Sequence, residues 1–190
     1  MEKFFPDWRS LTIHESSPAL RRRASWKIKK ECKNYIPSQY YPNKKMGSFH
    51  KRFRVENLEN LTFEDESIDL HITQDVVEHL LNPEKAFAEI ARTLKPGGAH
   101  IFSVPLVNKQ NPSERWAGLD ENGKIVYYHT PPEYHGNPIN SSGSLVTMHW
   151  GYDITRHIFD ASGLFTDIIY IDALEYGIRA EYIEILITRK

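Results

Sequence analysis

Apolar residues along this chain follow two spacings that alternate. In LTIH (Leu11 to His14), IDLHITQ (Ile68 to Gln74) and AHIFSVPL (Ala99 to Leu106) they are dense or alternate over a short span, as in strands inside a sheet. Between the second and third, NPEKAFAEIARTLKPGG sets Phe87, Ile90, Ala91 and Leu94 on one helical face. Asn82 suits the N-cap, Pro83 the first helical position and Glu84 the first turn, and Lys95-Pro96-Gly97-Gly98 ends the helix. GYDITRHIFDASG predicts another helix from about Tyr152 to Ser162, stopped at Gly163, before two last strands in TDIIYIDAL and YIEILITRK. Apolar strands alternating with amphipathic helices imply an α/β fold, a mostly parallel sheet with helices on both faces.

Two segments break this rhythm. After Leu11 to His14, the place of a nucleotide-binding loop is filled by Glu15-Ser16-Ser17-Pro18, without the glycine that such loops use for positive φ and close ligand approach. Pro18 at the first position of a following helix would cost that loop little. That helix, RRRASWKIKK, would bury Leu20, Ala24 and Ile28. Its charge, continued by Lys44, Lys45, Lys51, Arg52 and Arg54, reads most simply as a solvated face, although a basic first third could also draw an anionic substrate. The second segment, Asn108 to Gly151, is rich in Pro, Gly, Asn and His and too long for an ordinary connection. A hairpin is expected to turn at Glu121-Asn122-Gly123. Ligands of open α/β sheets bind outside the carboxyl ends of the strands, so this insertion after the strand ending near Pro105 is placed to act as a lid or substrate wall.

Composition narrows the classes. With 190 residues, 40% hydrophobic and 26% charged, the chain suits a single domain over residues 1–190. A net charge of −1 argues against a surface built for nucleic acid. The one cysteine, Cys32, excludes an internal disulfide framework and a cysteine zinc cluster, fits a reducing cytoplasm, and reads as a small apolar residue on a helix. MEKFFPDWRS has no long apolar run, so no membrane span or signal peptide is expected, and the expected location is cytoplasmic. The oligomeric state is left open, a homodimer included.

The run NLENLTFEDESIDLHITQDVVEHLLNPEKAFAEIARTLKPGGAHIFSVP, Asn57 to Pro105, resembles the central half of class I S-adenosylmethionine-dependent methyltransferases, in particular type 11-like methyltransferase domains. The matching features are an amide or acidic residue ahead of Leu-x-Phe, then Asp-x-Ser-(Phe/Ile)-Asp-Leu, a strand, Val-(Leu/Val)-Glu-His, and Leu-Lys-Pro-Gly-Gly. The resemblance implies a Rossmann-like fold with a seven-stranded sheet, Leu11 to His14 first, and Ile168 to Ala173 and Tyr182 to Thr188 as an antiparallel last pair. It implies S-adenosylmethionine across the carboxyl ends of the first four strands. Position by position, that cofactor would be held by Glu15, Ser16 and Ser17 in place of the glycine-rich loop, by Gln39 in place of an acidic residue after the second strand, by Asn57 and Leu58 after the third, and by Gln74 and Asp75 after the fourth. The chain begins almost at its first strand, so the helix that often covers the cofactor is expected to be short or absent.

These departures keep some function. Gln39 can still accept and donate at a ribose, without charge assistance, and Asn57 can pair with an adenine edge through both ends of its amide. S-adenosylmethionine carries no phosphate, so its loop needs only a close backbone and donors for a carboxylate. Methyl transfer from a sulfonium requires mainly alignment and a dry site, with a base only where the acceptor must lose a proton. In the insertion, PPEYHGNP offers His135 as that base or as an acceptor-orienting group, with His129, Tyr134 and His149 as substrate-binding candidates. The spacing of these histidines matches no closed metal motif, and no metal is expected. Glu78-His79 is expected to cap the loop after its strand rather than to act as a base. Two functions follow: a methyltransferase acting on an unidentified small or carbohydrate-linked acceptor, or a methyltransferase-like scaffold or partner-binding module whose cofactor binding is weak or lost. Nucleic acid is disfavoured as a partner, since the basic residues lack interleaved aromatics.

Overall fold

The computed structural model describes residues 1–18, 23–137 and 142–190. Its elements are β1 (Thr12–Ser16), α1 (Arg23–Glu31), β2 (Asn34–Gln39), β3 (Phe49–His50), β4 (Phe53–Val55), β5 (Ile68–Gln74), α2 (Pro83–Thr93) and β6 (Leu94–Ser103). The 108–151 segment holds short strands β7 (Glu114–Arg115), β8 (Ala117–Leu119), β9 (Ile125–Tyr127), β10 (Tyr134–His135), β11 (Ser144–Leu145) and β12 (Met148–His149). The chain closes with α3 (Ile154–Ser162), β13 (Phe165–Tyr170) and β14 (Glu184–Arg189).

The main sheet runs β13-β14-β6-β5-β1-β2-β4-β3. Strands β4, β2, β1, β5 and β6 are parallel, and β14 is antiparallel to both β6 and β13. The seven strands expected from the sequence are therefore present, with the two-residue β3 added at the edge by a hairpin onto β4. Order along the sheet reverses beside β1, which places a crevice at the carboxyl ends of β1 and β5.

Local sequence explains most boundaries. Asn82 caps α2, its side chain accepting from the Lys85 amide, and Pro83 stands first in the helix. Gly163, at φ 72°, ends α3 in the left-handed conformation that favours glycine. β1 runs two residues beyond the expected Leu11 to His14, because Glu15 and Ser16 pair with β2 on one side and β5 on the other. β6 begins at Leu94 rather than Ala99, since Leu94 already pairs with Ile68 across an irregularity that absorbs the Pro-Gly-Gly stretch. β13 ends at Tyr170, before the expected Ala173. In α1 the buried positions are Ser25 and Ile28, while Ala24 is exposed; Leu20, Arg21 and Arg22 lie outside the described residues. Lys27, Lys29 and Lys30 are exposed, the solvated face that the simpler reading gives.

Each face of the sheet carries a core. On one, α2 and α3 pack with Phe102, Val104, Leu186 and Trp150, and on the other Trp8, Ile28 and Cys32 cover Ile13, Leu70, Ala99 and Ile187. A polar row crosses the first face: His14 of β1, His71 of β5, His100 of β6 and Thr188 of β14 stand side by side in register, all buried. His14 Nδ1 lies 2.8 Å from His71 Nδ1, and the remaining contacts run to Ser38, Thr93 and Thr73. Burial keeps these rings neutral, lowering His14 and His100 to about 3 and His71 well below its ordinary value. Among the described residues no helix is long and apolar enough to cross a membrane.

Candidate functional site

The loop after β1 answers its missing glycine with Ser17, which takes φ 54°. That left-handed conformation costs a serine more than a glycine, and the surroundings fix it. The Ser17 amide donates to Ser38 O at 2.9 Å, and its hydroxyl accepts from Gln39 Nε2 at 3.2 Å. Ser16 and Pro18 beside it are buried. The proposed place of Pro18 at the start of a helix involves residues 19–22, outside the described residues.

Glu15 has a structural role at the base of this loop. Its side chain is fully buried and its carboxylate accepts three hydrogen bonds, from Ser25 Oγ at 2.7 Å, Tyr35 OH at 2.7 Å and Gln74 Nε2 at 2.9 Å. A carboxylate so engaged ties α1, β2 and β5 to β1. The Leu58 side chain is part of the apolar core, leaving its backbone at the edge.

The remaining expected residues gather at the carboxyl edge. Gln39 ends β2, and its carbonyl accepts from the Glu56 amide, which brings Asn57 next to it. Asn57 Oδ1 accepts from the Glu59 amide at 3.0 Å, so its carbonyl caps the turn and its NH2 group is the part left for a ligand. Gln74 and Asp75 are exposed. Asp75 turns the chain at φ 51°, its amide donating to Ser103 O and its carboxylate accepting from Ser103 Oγ.

Beyond Asp75, residues Val77–His79 form a short 3-10 turn that meets the insertion. Thr147 donates from its amide to Glu78 O, and its hydroxyl lies 2.6 Å from Leu80 O. His79 Nδ1 donates to Leu145 O at 2.8 Å, so its backbone contact is to the insertion and not, as expected for Glu78-His79, to the loop after its own strand. Glu78 itself is 2% exposed with both carboxylate oxygens unpartnered. Burial, with Asp75 nearby adding to it, pushes its pKa up to about 8.

The insertion is pinned at its neck and braced inside. Asn108 and Lys109 pair with Trp150, Gly151 and Tyr152, and a Cβ at Gly151 would collide with the Asn111 carbonyl, so glycine is required there. The expected hairpin is β8–β9, with Gly123 at φ 76° and Asp120 capping the turn. Trp116 stacks on two imidazoles, with ring centroids 4.6 Å from His129 and 3.9 Å from His149. Their edges go to acids, His129 Nε2 to Glu114 at 3.2 Å and His149 Nε2 to Glu133 at 2.9 Å. Both histidines thus brace the insertion from within. Tyr134 is exposed, its hydroxyl 3.5 Å from that of Tyr127. His135 meets the turn after β5: its ring packs edge-on against His79 at 5.4 Å, and Glu133 Oε1 lies 2.9 Å from its Nε2. Pro138, which ends PPEYHGNP, lies outside the described residues.

Residues 28–102 match the family model described as a methyltransferase domain. No curated protein matches the chain in sequence. Among solved structures, the chain is similar to an S-adenosylmethionine-dependent methyltransferase from Mesorhizobium loti, with 14% identity, 98% of this chain and 93% of that one covered, and a TM-score of 0.58. It is also similar to the 1,6-didemethyltoxoflavin-N1-methyltransferase of Burkholderia thailandensis, solved with 1,6-didemethyltoxoflavin and S-adenosylhomocysteine, at 11% identity, 99% and 75% coverage and a TM-score of 0.52. A methyltransferase from Methanosarcina mazei gives 13% identity, 95% and 91% coverage and a TM-score of 0.51. At these identities the likeness is one of fold.

Proposed function

We propose that this chain, which carries a class I S-adenosylmethionine-dependent methyltransferase domain, transfers a methyl group to an acceptor held between the carboxyl edge of its sheet and the 108–151 segment. The observation that carries the reading is Ser17: a loop that had merely decayed would have no reason to keep the glycine-like backbone, whereas here φ 54° is held by Ser38 and Gln39. When bound, S-adenosylmethionine supplies an electrophilic methyl group on a sulfonium. Ser16 and Ser17 offer a close backbone and small polar side chains to its amino-acid end, Gln39 an amide to the ribose, and the Asn57 NH2 group a donor to a ring nitrogen of the adenine. Gln74 and Asp75 border the same edge. The insertion excludes water from the acceptor side, and His135 orients the acceptor.

Isothermal titration with S-adenosylmethionine and S-adenosylhomocysteine tests this reading. Binding is expected, and Asn57→Ala should weaken it by about 0.5–1.5 kcal/mol for each hydrogen bond removed. Unchanged affinity in that variant would reject the placement of the adenine. Absence of heat with either ligand in the wild type would leave the chain a partner-binding scaffold.

His135→Ala is expected to lower turnover, once an acceptor is found by screening, by a larger factor than it lowers cofactor affinity, because only the reacting complex uses the ring. Wild-type turnover in this variant would remove the insertion from the active site.

A further inference from the structure

Glu78, His79 and His135 come from two parts of the chain far apart in sequence, and one ligand-capable atom of each lies within 4.8 Å of the other two. Hydrogen bonds fix the tautomer of each imidazole. The Leu145 carbonyl can only accept, so the proton of His79 sits on Nδ1 and the lone pair of the neutral ring on Nε2, which is 3.7 Å from Glu78 Oε1. The Glu133 carboxylate fixes the proton of His135 on Nε2 in the same way and leaves the lone pair on Nδ1. Histidines with one nitrogen held by a carbonyl or carboxylate are the usual form of metal-binding histidines. Glu78 supplies the second observation: both oxygens of a side chain only 3% exposed lack a hydrogen-bond partner, which is costly for a buried carboxylate.

We propose that Glu78, His79 and His135 bind one divalent transition-metal ion of the zinc class, with a further coordination position left open. Two imidazoles and a carboxylate suit zinc or cobalt rather than magnesium or calcium, which prefer all-oxygen sites. Donors around a tetrahedral ion with bonds of about 2.0–2.2 Å stand roughly 3.3–3.5 Å apart, so closure needs side-chain rotations of about 1 Å. The three donors are brought together by the contact between the turn after β5 and the strands β10 and β11, which explains why the spacing of histidines within the insertion shows no metal motif. The ion would also pin the insertion to the sheet beside the proposed acceptor site.

The test is titration of the full, metal-free chain with Zn2+ and with Co2+, without cofactor or acceptor. One equivalent should bind, the cobalt form should show the intense visible bands of a low-coordinate site, and melting temperature should rise with Zn2+ concentration. His135→Ala, whose side chain is 39% exposed, should keep its metal-free melting temperature and circular dichroism yet lose at least tenfold in Co2+ affinity. Glu78→Gln keeps the shape of the buried side chain and should do the same. Absence of saturable binding in the wild type, or affinity retained within about twofold in both variants, overturns the site. Binding of S-adenosylhomocysteine is measured separately, so failure here leaves the proposed function standing.

Discussion

Acidifying the metal-free protein from about pH 6.5 to about pH 4.5 should remove on the order of 5 kcal/mol of stability, a large part of the 5–15 kcal/mol typical of a domain. The cause is the polar row in the sheet. His14 and His100, lowered to about 3 by burial, and His71, lowered well below the ordinary 6.5, stay neutral when folded and take up protons only when unfolded. Their stabilisation is fully present above the unfolded value and is lost as the pH falls toward the folded one. Each histidine contributes a slope of about 1.4 kcal/mol per pH unit in that window. Glu78 opposes them: its folded value of about 8 lies above the ordinary 4.5, so its contribution is present below 4.5 and lost as pH rises through 8. His79, also lowered by burial, acts in the same direction as the three, so the net slope is at least that of two histidines. Glu89, held below the usual carboxylate range by Arg92, matters only at lower pH. Urea unfolding at several pH values measures this directly, and stability that stays level between pH 6.5 and 5 would reject it.

The elements of the fold were legible in the sequence because their signals are local. Asn82-Pro83 and Gly163 mark helix ends whatever surrounds them, and Ile68 to Gln74 reads as a strand in isolation. The histidine row was not legible, since His14, His71 and His100 become neighbours only through the register of three strands. The same holds for the buried face of α1. An apolar count favours Ala24, but a buried carboxylate on β1 requires a donor, and Ser25 supplies it. At the candidate site, the positions after each strand could be read from the run between Asn57 and Pro105, while their partners could not. Nothing near Ser17 announces that Ser38 and Gln39 hold it. Nothing in the insertion announces that Glu78 and His79 face His135.

Glu15→Ala should be among the most destabilising single substitutions, at about 3–5 kcal/mol, because it empties a fully buried position and takes the acceptor away from the buried Ser25 hydroxyl and from the Tyr35 and Gln74 donors. For a chain of this length that is a fall in melting temperature of roughly 10–15 °C. Cofactor affinity should fall with it, since Ser16 and Ser17 directly follow the strand that Glu15 anchors. Glu15→Gln separates the two roles. Its retained oxygen can accept from Ser25 and Gln74, while its NH2 group meets the Tyr35 hydroxyl, which can turn to accept. The expected cost is therefore smaller, about 1–2 kcal/mol, with S-adenosylhomocysteine affinity close to that of the wild type. Thermal melts paired with calorimetric titration of both variants decide the matter. A Glu15→Gln protein that melts like the wild type but no longer binds S-adenosylhomocysteine would mean that the carboxylate touches the cofactor after all, and that the three hydrogen bonds seen here are exchanged for it on binding.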